Sequence, residues 1–583
     1  MSRTAARADL DSEEESSDVD HRNVSAESST EASSAENEDS GCGSSEEDQA
    51  KKGAEWDGGI FAPSRRLACI GFLAQYFAVG IIYGGLPATV YGVFLGYLAV
   101  PSYVYATVGV VMTLPWSFKF LFGLMNDTIP IRGQRRRPYM TLGWAFCAIM
   151  LLVLAFTPLP DPYWCVDQET GKYIKKKQMP DGKTVPAEPC NPDAAKSGGV
   201  YAMLMMLAAF GYVVADVAAD GLTVEYAKEE PLEKRGSIQT TVYLTRTIGQ
   251  ACTSLFVGLG MNGRLYNGSF DWSLSFNNVI FGFAIPAALM VPISWCCIQE
   301  PRGKAQNTCC GYLQQSWELL TSKAFLFVLL YGFLSSAISG VSTTAGGMVK
   351  QNWAEVQNLQ NQMFSLFGNI LFAGGLWLVK KCFLNRSWRW MLAVTSIFLN
   401  VVDMFFTTFT VFDIVRNQYF YLGETVLLEV PSAANFVVST FVVVEMADDG
   451  NEGLVYGLLT TASNLGYPFA QAIANQLFSF FRPSLSEEEN YIKDTPDFRW
   501  TVFWSFMVSY GFSFASLACL FFLPRQKEEA QQRKLTWPRR KAFGVTALVI
   551  LSGALAYSLL VDVLSMIPST MCLRLAGGDG CDA

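Results

Sequence analysis

LPWSFKFLFGLMNDTIPIRGQRRRPY, residues 114–139, decides the fold. It opens inside an apolar run, 103–125, interrupted by one cation, Lys119. It then passes Gly123 and, four residues on, Asp127, and presents Arg135, Arg136 and Arg137 just before a second apolar run at 139–159. Runs of about 20 apolar residues suit a hydrocarbon core about 30 Å thick at about 1.5 Å of rise per helical residue. Two such runs joined by a short basic turn read as a helical hairpin that crosses a membrane twice, its arginines on the cytosolic side. In that reading Gly123 permits close helix approach. Asp127 caps or pairs at the helix end, and the arginines hold headgroups and acidic partners.

The pattern repeats outward from this hairpin. Further spans are expected at 68–97, 199–226, 238–262 and 277–298, then at 324–346, 360–379, 390–412, 418–446, 453–481 and 500–523. An extra apolar stretch lies at 542–566. Two groups of six separated by a polar segment suggest two bundles related by an internal repeat, a common plan among secondary transporters. The chain is therefore predicted to be an all-α polytopic membrane protein of 6+6 bundles with an extra, thirteenth C-terminal helix. Its expected divisions are a tail at 1–66, a first bundle at 67–300, a central cytosolic loop at 301–323, a second bundle at 324–525, and a basic linker with the extra helix at 526–583.

Composition fits only when it is split. The chain is 51% hydrophobic yet carries a net charge of −9. Residues 1–66 hold 17 acidic against 7 basic residues, and the rest of the chain is close to neutral. The tail, rich in Ser and Glu without apolar periodicity, is expected to be disordered, because it cannot bury enough surface to offset its ordering entropy. No basic domain exists, so nucleic acid is not an expected partner. Lys and Arg number 21 in the loops after even-numbered spans and 13 in the opposite loops and tail, which predicts a cytosolic N-terminus. Cys165 and Cys190 then share the long external loop 160–198, and Cys572 and Cys581 share the external tail; a bridge within each pair suits an oxidising face. The sequon at Asn267 also falls outside, although Asn23, Asn126 and Asn385 match the same pattern at cytosolic positions.

Ionisable groups inside spans are the most informative residues, since each is costly unless paired or hydrated. They are Lys119, Asp216 and Asp220 (four apart, on one helix face), Arg246, Asp403, Glu424 and Glu429. Counting from span ends places Lys119 roughly 24 Å and Asp216 roughly 25 Å from the outer side, and Arg246 roughly 12 Å from the inner side. All three share the inner half of the membrane. They either line a central cavity as a substrate or ion pathway or form a buried structural network, and both readings stay open. Glu225, nearer the cytosolic mouth, reads as a solvated helix end. The only histidine, His21, lies in the tail, which excludes a His-based zinc site, a Ser-His triad and a histidine relay within the membrane. No Walker-type phosphate loop is present, so energy should come from a gradient. No cofactor or metal is expected.

The loop at 123–137 stands where the major facilitator superfamily carries its Gly-x-x-x-Asp…Arg-Arg signature, with an imperfect echo at GGLWLVKKCFLNRSWRW, 374–390. QYFAVGIIYGGLP (75–87), residues 114–139, DVAADGLTVEYA (216–227), RGSIQTTVYLTRTIG (235–249) and GNEGLVYGLLTTASNLG (450–466) together resemble the folate–biopterin transporter family of that superfamily. The resemblance covers most of 67–525. It implies that Lys119, Asp216, Asp220 and Arg246 lie along a transport path, and that Glu452 and Asn464 form a polar motif at an inner gate. MADDG (446–450) replaces the family's usual Pro before that motif, and the tail, the 160–198 loop and the extra span lie outside the family core. The implied function is secondary active transport of folate- or pterin-type metabolites by alternating access, with protons as a candidate coupling ion and Tyr83 and Phe77 as candidate ring platforms. Alternatives are another small solute (S-adenosylmethionine, a sugar, a drug), or a receptor or scaffold that works through the acidic tail. External cysteines and a tail that is acidic instead of Arg-rich favour the plasma membrane.

Overall fold

A computed structural model describes residues 59–180, 184–228, 237–300, 308–382, 386–447 and 452–581. The acidic segment 1–58 lies outside the described residues. Thirteen helices follow the thirteen apolar runs. In the first half they are α1 (Arg66–Val90), α2 (Ser102–Thr128), α3 (Arg137–Phe156), α4 (Ala194–Lys228), α5 (Ser237–Gly260) and α6 (Phe276–Cys296). The second half has α7 (Lys323–Ser339), α8 (Asn358–Cys382), α9 (Trp388–Val411), α10 (Gln418–Met446), α11 (Glu452–Phe478) and α12 (Pro496–Ser516), and α13 (Lys541–Met566) follows. Among the described residues, nine of these are long and apolar enough to cross a membrane by length and composition alone. The exceptions are α7, which is short, and α5, α10 and α11, which carry more polar residues. Two of those polar helices, α5 and α11, supply residues to the central site.

The halves repeat the same packing. α1 packs on α5 as α7 packs on α11, and α3 lies between α4 and α6 as α9 lies between α10 and α12. Each half buries its own apolar core, around Trp144, Phe276 and Phe283 in the first and around Phe325, Leu329 and Val455 in the second. This is the major-facilitator plan of two six-helix bundles, with α13 added.

Two connections carry more structure than polar linkers need. In the central loop, Cys309–Leu320 is a helix whose start is capped by Thr308, the hydroxyl accepting from the Gly311 amide at 3.2 Å. In the basic linker, Lys527–Thr536 is a helix held by an Arg533–Glu529 pair at 2.6 Å. The long loop between α3 and α4 contains a small hairpin, β1 (Lys176–Gln178) antiparallel to β2 (Thr184–Pro186), and a Cys165–Cys190 disulfide. A second disulfide joins Cys572 to Cys581. The end of the molecule carrying the hairpin is called the loop end below, and the opposite end, with Arg135–Arg137, the arginine end.

Hydrogen bonds between the bundles concentrate at the loop end. Tyr91 donates to the Val356 carbonyl (2.6 Å), Gln362 to Ala88 (3.1 Å), Asn358 to Met261 (2.9 Å), Ser102 to Leu485 (3.0 Å) and Asn475 to Thr107 (2.7 Å). Buried Glu488 adds a clasp, accepting from Lys175 and Trp164 of the long loop, both at 2.8 Å. Asn267 belongs to this packed region. A Cβ on Gly96 would meet its side-chain nitrogen at 2.9 Å, and that nitrogen is buried.

Candidate functional site

The site begins with a break in α2. Regular helix stops at Val111, a tight 3-10 turn covers Leu114–Phe118, and α-helix resumes at Lys119. Pro115 explains the break, because it has no N–H to donate and its ring clashes with the preceding turn. Backbone freed at membrane depth needs partners, and α11 supplies them. Thr461 accepts from the Phe120 amide (3.2 Å), and the Asn464 amide group donates to the Trp116 carbonyl (3.4 Å). The break therefore ties the two halves together and turns Trp116 and Lys119 into the space between them.

Around it the four central charges assemble. Lys119, 8% exposed, pairs with Asp220 at 2.8 Å. The other Asp220 oxygen accepts from the Tyr76 hydroxyl at 3.2 Å, and Tyr76 shares a 2.6 Å hydrogen bond with Thr223. Arg246 lies over the Tyr83 ring at 4.5 Å and the Trp116 ring at 5.3 Å, while Lys119 lies over Trp116 at 4.9 Å and Tyr456 at 5.4 Å. One indole thus sits between two cations, its N–H held by the Tyr212 hydroxyl at 3.3 Å. Asp216, one turn before Asp220 on α4, is fully buried, and neither of its carboxylate oxygens has a hydrogen-bond partner among the described residues. It feels the charges of Asp220, Arg246 and Lys119 without touching them.

Glycine makes this geometry possible. A Cβ on Gly80 would fall 2.1 Å from the Arg246 carbonyl, and one on Gly249 would fall 2.4 Å from that of Phe77. The backbones of α1 and α5 touch there, which carries Arg246 across to Tyr83. Phe77 contributes its backbone to that crossing; Tyr83 contributes its ring to the site.

The arginine end forms a second cluster. Arg136 pairs with Asp127 at 2.7 Å and lies 3.5 Å from Glu225, which also pairs with Arg135 at 3.1 Å. Glu225 is therefore not a solvated helix end: the guanidinium groups reach it because Gly221 leaves room, a Cβ there falling 2.3 Å from Arg136. Arg137 lies over the Trp295 ring at 4.8 Å. Gly123 differs from the expectation. A Cβ there would meet only the Tyr312 hydroxyl, at 3.8 Å, so no close helix contact depends on it in this conformation. Glu300, unremarked in the sequence, accepts from the Arg135, Arg136 and Arg137 amides at 2.8–3.0 Å and closes the start of α3. Charged acceptors at helix starts contribute about 1–3 kcal/mol. Glu300→Gln should accordingly lower the thermal unfolding temperature in detergent, and an unchanged melt would refute the capping role.

The remaining candidates lie apart from this centre. Glu424 is buried near Asp403 on α9, which in turn accepts from Thr407 at 3.1 Å. Glu429 faces Gly368 of α8, its Cγ 3.2 Å from where a Cβ would stand. The side chain of Glu452 and residues 448–451 lie outside the described residues.

Comparison with known proteins places this geometry. A family model described as the BT1 family matches residues 76–161 and 192–534, leaving out much of the long loop and all of α13. A probable folate-biopterin transporter 4 of Arabidopsis thaliana is 23% identical over 149 residues, spanning 25% of this chain and 23% of that protein. A folate-biopterin transporter of Synechocystis is 23% identical over 416 residues, 69% of this chain and 73% of its own length. Among solved structures, a D-xylose-proton symporter superposes with a TM-score of 0.53 at 11% identity, over 80% of this chain and 100% of its own. A bacterial homolog of the human lysosomal transporter Spinster, in an inward-facing and occupied conformation, gives 0.52 at 11% identity, over 82% and 99%. Those structures establish the fold and nothing finer.

Proposed function

Because the chain belongs to the BT1 family, it is a membrane transporter and not an enzyme, and we propose that it moves folate- or pterin-type metabolites by alternating access. The two six-helix halves rock about the centre, where Lys119, Arg246 and Asp216 meet the cargo. The observation that carries this reading is the Trp116 indole flanked by two cations beside an unpartnered, buried carboxylate. A planar, conjugated ring gains stacking and cation–π contact on such a surface. A cargo carboxylate would take the guanidinium of Arg246, which makes no ion pair among the described residues. Amino groups on the cargo ring would donate to Asp216, and a proton on Asp216 could travel with it. The names of the Arabidopsis and Synechocystis relatives support the same cargo class.

The hydrogen-bonded loop end and the positive arginine end support an orientation with the loop end outside and the N-terminus in the cytosol. The two loop-end disulfides suit an oxidising exterior such as the cell surface.

The test is uptake of labelled folate, biopterin and S-adenosylmethionine in transport-deficient cells expressing the full chain. Accumulation of folate or biopterin above background is the expected result. Uptake of S-adenosylmethionine alone would move the cargo to a sulfonium metabolite, and uptake of none would sink the assignment.

A further inference from the structure

α13 lies beyond the matched family region and crosses from one bundle to the other. Its arginine-end half packs into the second bundle, with Ala547, Ile550, Leu551, Ala554 and Leu555 in that core. Its loop-end turn packs into the first, where Met566 joins the core and its carbonyl would lie 1.7 Å from a Cβ on Gly199. Asp562 stands at this changeover. It is 2% exposed, and both of its carboxylate oxygens lack a hydrogen-bond partner among the described residues.

Among the described residues no counter-charge compensates it. α13 packs against α2, α4, α7, α11, the Cys309–Leu320 helix and the C-terminal tail. Towards the loop end these elements carry Tyr103 and Tyr201, whose hydroxyls donate to the Met571 and Pro158 carbonyls, and Lys196, which pairs with Asp193. The tail adds Arg574 and Asp579, the latter paired with Arg482 at 2.7 Å. Tyr105 on α2, Tyr331 on α7, Tyr467 on α11 and Tyr557 on α13 itself complete the set; Glu318 and Tyr312 belong to the Cys309–Leu320 helix, which meets α13 at the far end through Trp317 and Gly544. None of these exerts a charge interaction on Asp562.

The tail seals the position from the loop end. Ser565 donates to the Ala576 carbonyl (2.8 Å), Gln476 donates to Leu575 (3.0 Å), and the Cys572–Cys581 bridge closes the turn. We propose that Asp562 is a proton-binding site through which α13 couples opening of the loop end to protonation. With the loop end closed, an ionised carboxylate there is 2% exposed and has no donor among the described residues, so closure requires the proton. When the halves part, water reaches the seam and the proton can leave. The species that takes the proton up is the closed one, and linkage makes alkaline conditions favour opening. This site is separate from the central Asp216, and it rests on the rocking motion proposed above.

The test uses a reporter that needs no cargo. Leu95 is 1% exposed and packs against Val341, Ala345, Met348 and Val349 of the other half, so a cysteine there is reachable only when the loop end opens. Full-length protein carrying Leu95→Cys is labelled from the loop side with an impermeant maleimide across mildly acidic to mildly alkaline pH. Rates are corrected for thiol ionisation with the unfolded protein and for background with the parent chain. The expected result is labelling that rises about tenfold with pH in this protein, keeps that rise with Asp562→Glu, and stays at the low acidic rate with Asp562→Asn. The same pH profile in Asp562→Asn as in its parent would overturn the Asp562 assignment alone. Labelling that responds to replacing sodium by choline, and not to pH, would make the site a metal-cation site and equally overturn the proposal. No labelling at any pH in any variant would instead refute the rocking motion on which it stands.

Discussion

Asp216→Asn is expected to lower the initial rate of cargo uptake by about 10–100-fold, the range expected when a hydrogen bond to a charged group is lost. The substitution keeps the shape of the side chain and removes its charge. That carboxylate is fully buried with no hydrogen-bond partner among the described residues, and what compensates it there is the field of Lys119 and Arg246. A group held so is stabilised most when cargo donors arrive, which is differential binding available to the loaded state. Uptake is measured in proteoliposomes, normalised to reconstituted protein. A rate within twofold of wild type would show that Asp216 is structural.

Lys119→Ala should destabilise the protein more than the double variant Lys119→Ala/Asp220→Ala. Among the described residues Lys119 and Asp220 are the one direct ion pair of the centre, 2.8 Å apart, with side-chain exposures of 9% and 31%. Removing one member of a buried pair costs about 3–5 kcal/mol, because the other charge is left uncompensated. The partial exposure of Asp220 lets water share that cost, so about 2 kcal/mol is expected for the single variant. Removing both members cancels the stranded charge and recovers most of the loss, a coupling of about 1–2 kcal/mol. Thermal unfolding in detergent of Lys119→Ala, Asp220→Ala and the double variant reads this directly. Additive losses would mean that the pair does not stabilise the fold. The double variant is still expected to lack transport, because Trp116 then keeps only one of its two cations.

Much of this was legible before any coordinates. All thirteen helices stand where the apolar runs predict them, because in hydrocarbon a backbone satisfies its hydrogen bonds within one segment and length alone sets the crossing. Counting rise per residue put Lys119 and Asp216 at nearly equal depth, and in the fold both lie in one cluster with Asp220 and Arg246. The misses have a common cause. Gly123 looked like a helix-contact residue, yet the close contacts of α5 with α1 depend on Gly80 and Gly249. Glu225 looked solvated and is clasped by two arginines. Trp116, Tyr76 and Glu300 had no signal of their own, since an aromatic or acid near a span end is usually ordinary packing or solvated surface. Pro115 was the one available hint, because a proline inside an apolar run announces backbone that must find partners elsewhere.

The sequence by itself determined the thirteen long apolar helices, their order, and the depth of each charge along them, since crossing an apolar layer is a one-dimensional constraint on composition and length. Only the tertiary structure decided which charge meets which. Lys119 and Asp220 are 101 residues apart in the chain, and their pairing depends on how α2 and α4 are rotated about their own axes. That rotation is set by the proline break in α2 and by which faces pack against neighbouring helices. The same packing leaves Asp216 and Asp562 buried without hydrogen-bond partners among the described residues. Depth follows from the solvent, whereas pairing follows from contact.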